Sequence, residues 1–265
     1  MRKKLVALSM AVLMLAVAVI GGTLAYFTDT TDAKVNTFEV GNVDINLTEP
    51  NWKGEATLMP GTSYDKDPTI TVGEKSQDAY VFLKMDMNKY VSLVNLMGVD
   101  AYKNNIGGLK GDYPGFISFV NSLANNSGLR AAVVDRWFTG IKHSDWKVMN
   151  VNEILEWVNG AADQSNPAKL EIVLGYIGSD DDTLSAGKSV TFMTAFGMPT
   201  SVTASMFDGE DAYYIGGVSK SNFNTSASKF KMTFTAYAIQ AAEIDDIDAA
   251  YEALFPTAET SAFAD

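Results

Sequence analysis

The chain offers few side chains that could perform catalysis. Its single histidine is His143, it contains no cysteine, and no serine lies in a Gly-x-Ser-x-Gly context. Catalytic zinc sites use three protein ligands, commonly imidazoles as in His-Glu-x-x-His on one helix face. A serine triad needs a histidine base that only His143 could supply. The composition therefore disfavours a zinc protease and a serine hydrolase, and we expect His143 to be a surface or loop histidine.

Two short runs of carboxylates are the remaining candidates for a metal site. The first consists of Asp180, Asp181 and Asp182, and the second of Asp245, Asp246 and Asp248. Oxygen ligands of this kind bind calcium, but neither run has the spacing of an EF-hand loop. A solvated turn and an acidic helix start explain both runs without a metal. We predict no cofactor and keep only the first run as a weak calcium candidate.

The first 27 residues have the layout of a secretory signal peptide. Arg2, Lys3 and Lys4 precede an apolar run over residues 5–20, and small residues follow. We predict residues 1–25 as the signal peptide, with cleavage between Ala25 and Tyr26, and a mature chain secreted to the extracellular matrix or cell surface. The alternative is an uncleaved anchor, because residues 5–25 could just span a bilayer, but no basic stop-transfer cluster follows.

The net charge excludes several classes of partner. The chain carries −12 at pH 7, and loss of its first three basic residues leaves 17 basic against 32 acidic side chains, or −15. Such a surface repels nucleic acid and anionic membranes. We therefore expect no nucleic-acid partner, and membrane contact only through the signal peptide before cleavage. Lowering this self-repulsion with acid or divalent cations should promote association.

Alternating apolar residues predict a mainly β domain over residues 43–242. The segments predicted as strands are 43–47, 69–72, 79–87, 170–176, 190–196 and 229–239. Residues 79–87 are apolar on both faces, which is typical of a central strand. Turn clusters rich in glycine and proline separate the strands. Many short strands joined in this way predict an antiparallel sandwich of jelly-roll type.

Helical periodicity interrupts the strand patterns at about residues 88–167. One helix face is formed by Phe116, Phe119, Val120 and Leu123, and a second by Val151, Ile154, Leu155 and Val158. No linker separates this region as a second domain, so we interpret it as a helical insertion in the sandwich. Residues 243–265 predict a C-terminal helix, at 244–255, followed by a loose tail.

Several motifs resemble the TasA/camelysin family of exported proteins from Gram-positive bacteria. Near the N-terminus they are the Gly-Thr-x-Ala-Tyr-Phe cleavage region, an Asn-Thr-Phe-x-x-Gly-Asn-Val-Asp-Ile run and a Leu-x-Pro-Gly segment at residues 58–61. Residues 65–68, 79–84 and 234–241 are similar as well. The resemblance covers both ends of the mature domain, whereas the middle carries no recognised motif.

The resemblance implies a secreted jelly-roll protein, processed by a SipW-type signal peptidase, that assembles into biofilm matrix fibres. In this family, assembly is thought to proceed by donor-strand exchange, in which the N-terminal segment of one subunit fills a strand position in the next. The corresponding arm here is residues 26–42. Its apolar side chains are Tyr26, Phe27, Val35, Phe38 and Val40. Strand addition that runs head to tail does not close on itself, so it yields filaments.

Alternatives remain open for the arm and for the whole chain. Residues 26–40 could instead be a flexible or self-docked arm of their own domain. The protein could also be a monomeric accessory or adhesion module of the cell surface or matrix. Camelysin-type members have been described as metalloproteases, a third possibility that the shortage of histidines disfavours. The partners expected for the favoured function are further copies of the chain, the signal peptidase and accessory matrix proteins.

Overall fold

The computed structural model describes eleven strands and four α-helices. The described residues are 28–31, 43–54, 58–87, 90–111, 113, 115–152, 170–203, 206 and 230–256. The strands are β1 (Thr28–Thr31), β2 (Ile45–Thr48), β3 (Ser63–Asp65), β4 (Thr69–Val72), β5 (Ala79–Met87), β6 (Phe138–Thr139), β7 (Trp146–Val148), β8 (Leu170–Tyr176), β9 (Ser189–Thr191), β10 (Ala195–Gly197) and β11 (Met232–Gln240). The helices are α1 (Tyr90–Lys103), α2 (Phe116–Asn125), α3 (Ser127–Val134) and α4 (Ile247–Leu254), and short 3-10 turns span Ile106–Gly108 and His143–Asp145.

The strands form three open sheets. The largest has the order β1-β11-β5-β8-β7, and the two smaller ones have the orders β3-β10-β6 and β2-β4-β9. Every pairing among these described strands is antiparallel. One apolar core takes side chains from all three sheets and from α1, α2 and α3. The predicted mainly β antiparallel sandwich is therefore confirmed.

β5 and β11 form the centre of the large sheet. They pair along their full lengths, from Met232 opposite Met87 to Gln240 opposite Ala79. Phe82 on β5 is buried on the face that α4 covers, where it packs with Ile247. This second covered face explains why residues 79–87 are apolar in both directions. The strand matches its predicted limits, and α4 lies inside the segment predicted as helical.

Residues 190–196 depart from their prediction as one strand. The structure divides them between β9 and β10, which belong to different small sheets. At the division, Phe192 N donates to Pro68 O and Thr194 N donates to Thr139 O. The alternation persists through this corner because Phe192 and Phe196 both face the common core. The apolar period alone therefore could not reveal the change of sheet.

A layer of helices packs against the sheets. α2 buries Phe116, Phe119 and Val120, the face that its periodicity predicts. α1 carries apolar residues on most of its circumference, and burial is continuous from Leu96 to Ala101. A helix buried on all sides lacks an amphipathic period, which is why the sequence pattern did not single it out. Among the described ranges, no helix has the length and apolar character needed to cross a membrane.

A buried polar cluster fixes α1 to its neighbours. Asp100 is 1% exposed, and its carboxylate accepts hydrogen bonds from Arg136 Nη2 at 3.1 Å and from Asn104 Nδ2 at 3.0 Å. Ser201 Oγ donates to the same carboxylate. Because a buried charge is tolerated only when it is paired and hydrogen-bonded, these contacts hold α1 against the segments that follow α3 and β10.

Candidate functional site

The candidate site is the edge of the large sheet at which β1 meets β11. β1 pairs antiparallel with the second half of β11, with Thr28 opposite Ile239 and Thr31 opposite Ala236. β1 belongs to the segment that the sequence marks as an assembly arm. The pairing is made within one chain, which is the self-docked arrangement among the alternatives for the arm.

Much of the predicted arm is outside the described residues. This applies to the cleavage site between Ala25 and Tyr26 and to the apolar arm residues Tyr26, Phe27, Val35, Phe38 and Val40. What the structure places is therefore the main chain of Thr28–Thr31 and the edge against which it lies.

β1 pairs with only four of the nine residues of β11. Ala241 N donates to Asp78 O, 3.0 Å away on the β5 side. Because successive residues of a strand direct their backbone groups to opposite edges, the even-numbered residues Met232 and Phe234 direct theirs to the β1 edge. Among the described strands, none pairs with Met232–Thr235 on that side. We call these four residues the open half of β11.

A buried lysine packs against the core side of the open half. The Lys66 side chain is 9% exposed, and its Nζ lies 2.6 Å from Glu49 Oε1. The same Nζ lies 4.6 Å from the ring centre of Trp52 and 5.4 Å from that of Phe234. A cation held between a carboxylate and two aromatic faces is attracted by all three. Lys66 thus links β11 to the loop that follows β2.

Asp67 fixes the same loop from the next position in the chain. It is buried, and its two carboxylate oxygens accept hydrogen bonds from Asn51 N at 3.1 Å and Asn51 Nδ2 at 2.7 Å. The sequence presented residues 65–68 only as part of a family resemblance. Their structural role has a weak signal in the sequence, which is a pair of opposite charges directly before the buried strand β4.

The lone histidine is exposed. His143 lies in the 3-10 turn that precedes β7, and its Nε2 is 2.7 Å from Asp135 Oδ1. The side chain of His143 is 39% exposed and that of Asp135 is 46% exposed. This single imidazole and its one carboxylate form a solvated surface pair.

The weak calcium candidates close a turn after β8. Asp181 Oδ1 accepts hydrogen bonds from Thr183 Oγ1 and Ser179 Oγ, both at 2.9 Å. These hydrogen bonds lower the pKa of Asp181 below its ordinary value, with that from Thr183 contributing most. A carboxylate oxygen already engaged in this way stabilises the turn, which is the explanation that needs no metal.

The structure brings the two acidic runs together at one end of β5. Tyr80, the second residue of β5, donates a hydrogen bond from its hydroxyl to Ile244 O at 3.4 Å. Burial raises the pKa of Tyr80, and the nearby carboxylates raise it further; these are Asp246, Asp181, Asp182 and Asp245. The sequence separates the runs by about sixty residues, so only the fold shows that they share one end of the sheet.

The described residues do not fit a catalytic zinc centre. Within the described ranges, no group of three His, Cys, Asp or Glu side chains lies close enough to hold a metal ion. The whole sequence provides one histidine and no cysteine. Three-ligand catalytic zinc sites take most of their ligands from those residue types. We therefore derive no step of chemistry through a metal.

A comparison with known protein families identifies a match to this chain. The model of the camelysin metallo-endopeptidase family matches residues 1–186. The chain belongs to the camelysin family. This confirms the resemblance to the TasA/camelysin family that the N-terminal motifs indicated. The match spans β1 to β8 and the Lys66 contacts with Glu49 and Trp52, and it ends before β11. Searches of curated proteins and of solved structures each found no match.

Proposed function

We propose that this camelysin-family chain is a secreted, non-catalytic structural protein of the biofilm matrix. After removal of residues 1–25, its arm, residues 26–42, adds to the β11 edge of another copy and so builds fibres. The observation that carries this proposal is the position of β1, because a segment of the arm lies on the outer edge of the large sheet. An extended segment on such an edge binds through main-chain hydrogen bonds.

Exchange of β1 between copies would preserve the contacts seen within one chain. The β1 of a second copy can pair with Ala236–Ile239 in the same register, so the two arrangements differ little in hydrogen bonding. Continuing that register places the donor's Val35 opposite Met232, and the donor then covers the open half as well. Donor and acceptor are different surfaces, so the contact repeats without closing.

The loop after β2 prepares the acceptor edge. Lys66 and Asp67 hold residues 49–52 through the contacts with Glu49, Trp52 and Asn51. Lys66 also contacts the ring of Phe234 in the open half. An acceptor that is already rigid does not lose conformational entropy on binding a strand. The supporting contacts are therefore in place before a donor arrives.

Electron microscopy of two purified proteins tests this function. One begins at Tyr26, and the other lacks residues 26–40. We expect fibres from the first and none from the second. Adding the shortened protein to the intact one should also shorten the fibres, because it can accept a donor strand but cannot supply one.

A matched pair of proline variants tests the main-chain contact itself. Alternation places the backbone groups of Thr31 toward Ala236 and those of Thr30 away from β11. Proline removes the N–H group, so T31P should impair fibre formation much more than T30P. If the intact protein stays monomeric at low pH and with calcium, the fibre function is wrong and an accessory module is favoured. Casein cleavage by highly purified protein that stops on chelation would contradict the non-catalytic part.

A further inference from the structure

On the opposite side of the large sheet, a side chain continues the pairing of β8 beyond the end of β7. β7 pairs with only Leu174–Tyr176 of β8, and Met149 N adds one further bond, to Val173 O at 2.8 Å. β8 continues back to Leu170, so its first half extends beyond the end of β7. The residue after Met149 is Asn150, and residues 151–152 already belong to a helix.

Asn150 takes the place of the next ladder residue. Its Nδ2 donates to Glu171 O at 2.8 Å, and its Oδ1 accepts from Val173 N at 2.9 Å. Glu171 and Val173 are alternate residues, so both direct backbone groups to this edge. Asn150 itself is 8% exposed. One buried amide thus supplies a donor and an acceptor in the positions that an added strand would otherwise occupy.

We propose that Asn150 blocks strand addition to the first half of β8, beyond the end of β7. This inference rests on the proposed function, in which the β11 edge accepts a donor strand. A strand approaching β8 would have to displace Asn150 and leave its buried amide without partners, which is unfavourable. This part of the β8 edge then accepts no strand from a neighbouring fibre, and the fibre does not branch there. An exposed second edge would permit lateral pairing between fibres.

The variant N150A, with N152A as its matched control, tests the proposal. Asn152 lies two residues further along and is exposed, so N152A makes the same chemical change at a position on the surface. Hydrogen exchange of the segment Leu170–Tyr176 is measured on the freshly purified, unassembled mature chain. We expect the Val173 amide to exchange about tenfold faster in N150A than in wild type or N152A, because its hydrogen-bond acceptor is lost.

Fibre shape separates a block on strand addition from a purely local role. We expect branched or laterally associated fibres from N150A, and single unbranched fibres from wild type and N152A. Unchanged exchange at Val173 would overturn the proposal. Faster exchange with fibres of unchanged width and no branches would also overturn it, because Asn150 would then only stabilise the local ladder.

Two further measurements keep the test decisive. If N150A fails to unfold cooperatively, N150D replaces it, because aspartate has nearly the same shape but cannot donate to Glu171 O. Aspartate can still accept from Val173 N, so fibre shape alone is the measurement for N150D. If wild type forms no fibres, the proposed function is wrong. The role of Asn150 is then tested separately, by measuring how the molecular mass in solution depends on protein concentration. A mass that rises with concentration in N150A but not in N152A would support the block. A constant mass in both would overturn it.

Discussion

The two edges of the five-stranded sheet are completed by opposite means. At the β8 edge, β7 runs directly into Asn150, and that side chain bonds to the backbone groups of Glu171 and Val173. At the β11 edge, the outermost strand is the four-residue β1, from the other end of the chain. One edge is closed by residues that lie near β8 in the sequence. The other is closed by a remote segment, and the described residues of that segment pair with Ala236–Ile239.

The difference indicates which edge can exchange partners. Closing an edge with a remote segment carries a larger loop-closure entropy than closing it with a nearby one. The same segment from another copy can therefore compete with β1, whereas no second copy can readily compete with Asn150. The edge left open to exchange is also the one with residues 49–52 held rigidly beside it. Assembly through one edge is the consequence we expect.

The largest effect is expected from a proline in the open half of β11. Met232 directs its backbone groups away from β5, so M232P removes an edge N–H while keeping the ladder to β5. Proline is also best tolerated at the first residue of a strand. We expect M232P to slow fibre formation at least about tenfold, since a main-chain donor to the added strand is lost.

M232A is the control for that variant, because alanine removes the same side chain and keeps the N–H. The unfolding free energies of M232P and M232A should agree within about 1 kcal/mol. Light scattering gives the assembly rates, and denaturant unfolding gives the free energies. Equal assembly rates for the two variants would show that the open half of β11 does not accept a strand.

A smaller effect is expected from removing the buried cation beside the open half. K66M leaves the Glu49 carboxylate, 25% exposed, without its counter-charge. Breaking a buried pair costs about 3–5 kcal/mol, and the partial exposure of Glu49 reduces our expectation to about 2 kcal/mol of unfolding free energy. The double variant K66M/E49Q should recover part of that loss, as a double-mutant cycle would measure.

Lys84 provides a matched control for Lys66 on the other face of the sheet. Its Nζ lies 3.4 Å from Glu171 Oε1 and 5.7 Å from the ring centre of Tyr237, but both partners of the ion pair are more exposed. Solvent weakens such a pair, so K84M should cost less than about 1 kcal/mol. Equal losses for K66M and K84M would mean that Lys66 does not have the special supporting role assigned to it.

Local sequence patterns were sufficient to predict strands where burial follows a simple period. Strands β4, β5 and β8 match the predicted segments, because their alternation reflects direct packing against one core or between two layers. The prediction failed at residues 190–196, where two strands of different sheets, β9 and β10, follow one another with the same alternation. It was also silent on α1, where burial is continuous from Leu96 to Ala101 and no amphipathic period appears.

The candidate site was less accessible to sequence reasoning because it depends on contacts between distant residues. The arm was recognised as a candidate, but its position against β11 requires the strand order, which periodicity does not contain. Asn150 looks like any asparagine before a helix until its amide is placed between Glu171 and Val173. The link between Lys66 and β11 depends on its contact with Phe234, a residue far along the chain.

The smallest effect is expected in the turn that follows β8, at the completed side of the sheet. The hydrogen bonds to Asp181 lower its folded-state pKa below the ordinary value of 3.8. A group with a lowered folded pKa stabilises the fold above its unfolded pKa, and that contribution is lost as the pH falls through the folded value. D181N should therefore cost less than about 1 kcal/mol at pH 7. The difference in unfolding free energy between D181N and wild type should become smaller below about pH 4.

D180N makes the same charge change at an exposed neighbour, so comparing the two variants by thermal unfolding at several pH values isolates the contribution of the hydrogen bonds. A D181N gap that stays constant with pH would mean that the ionised carboxylate does not stabilise this turn.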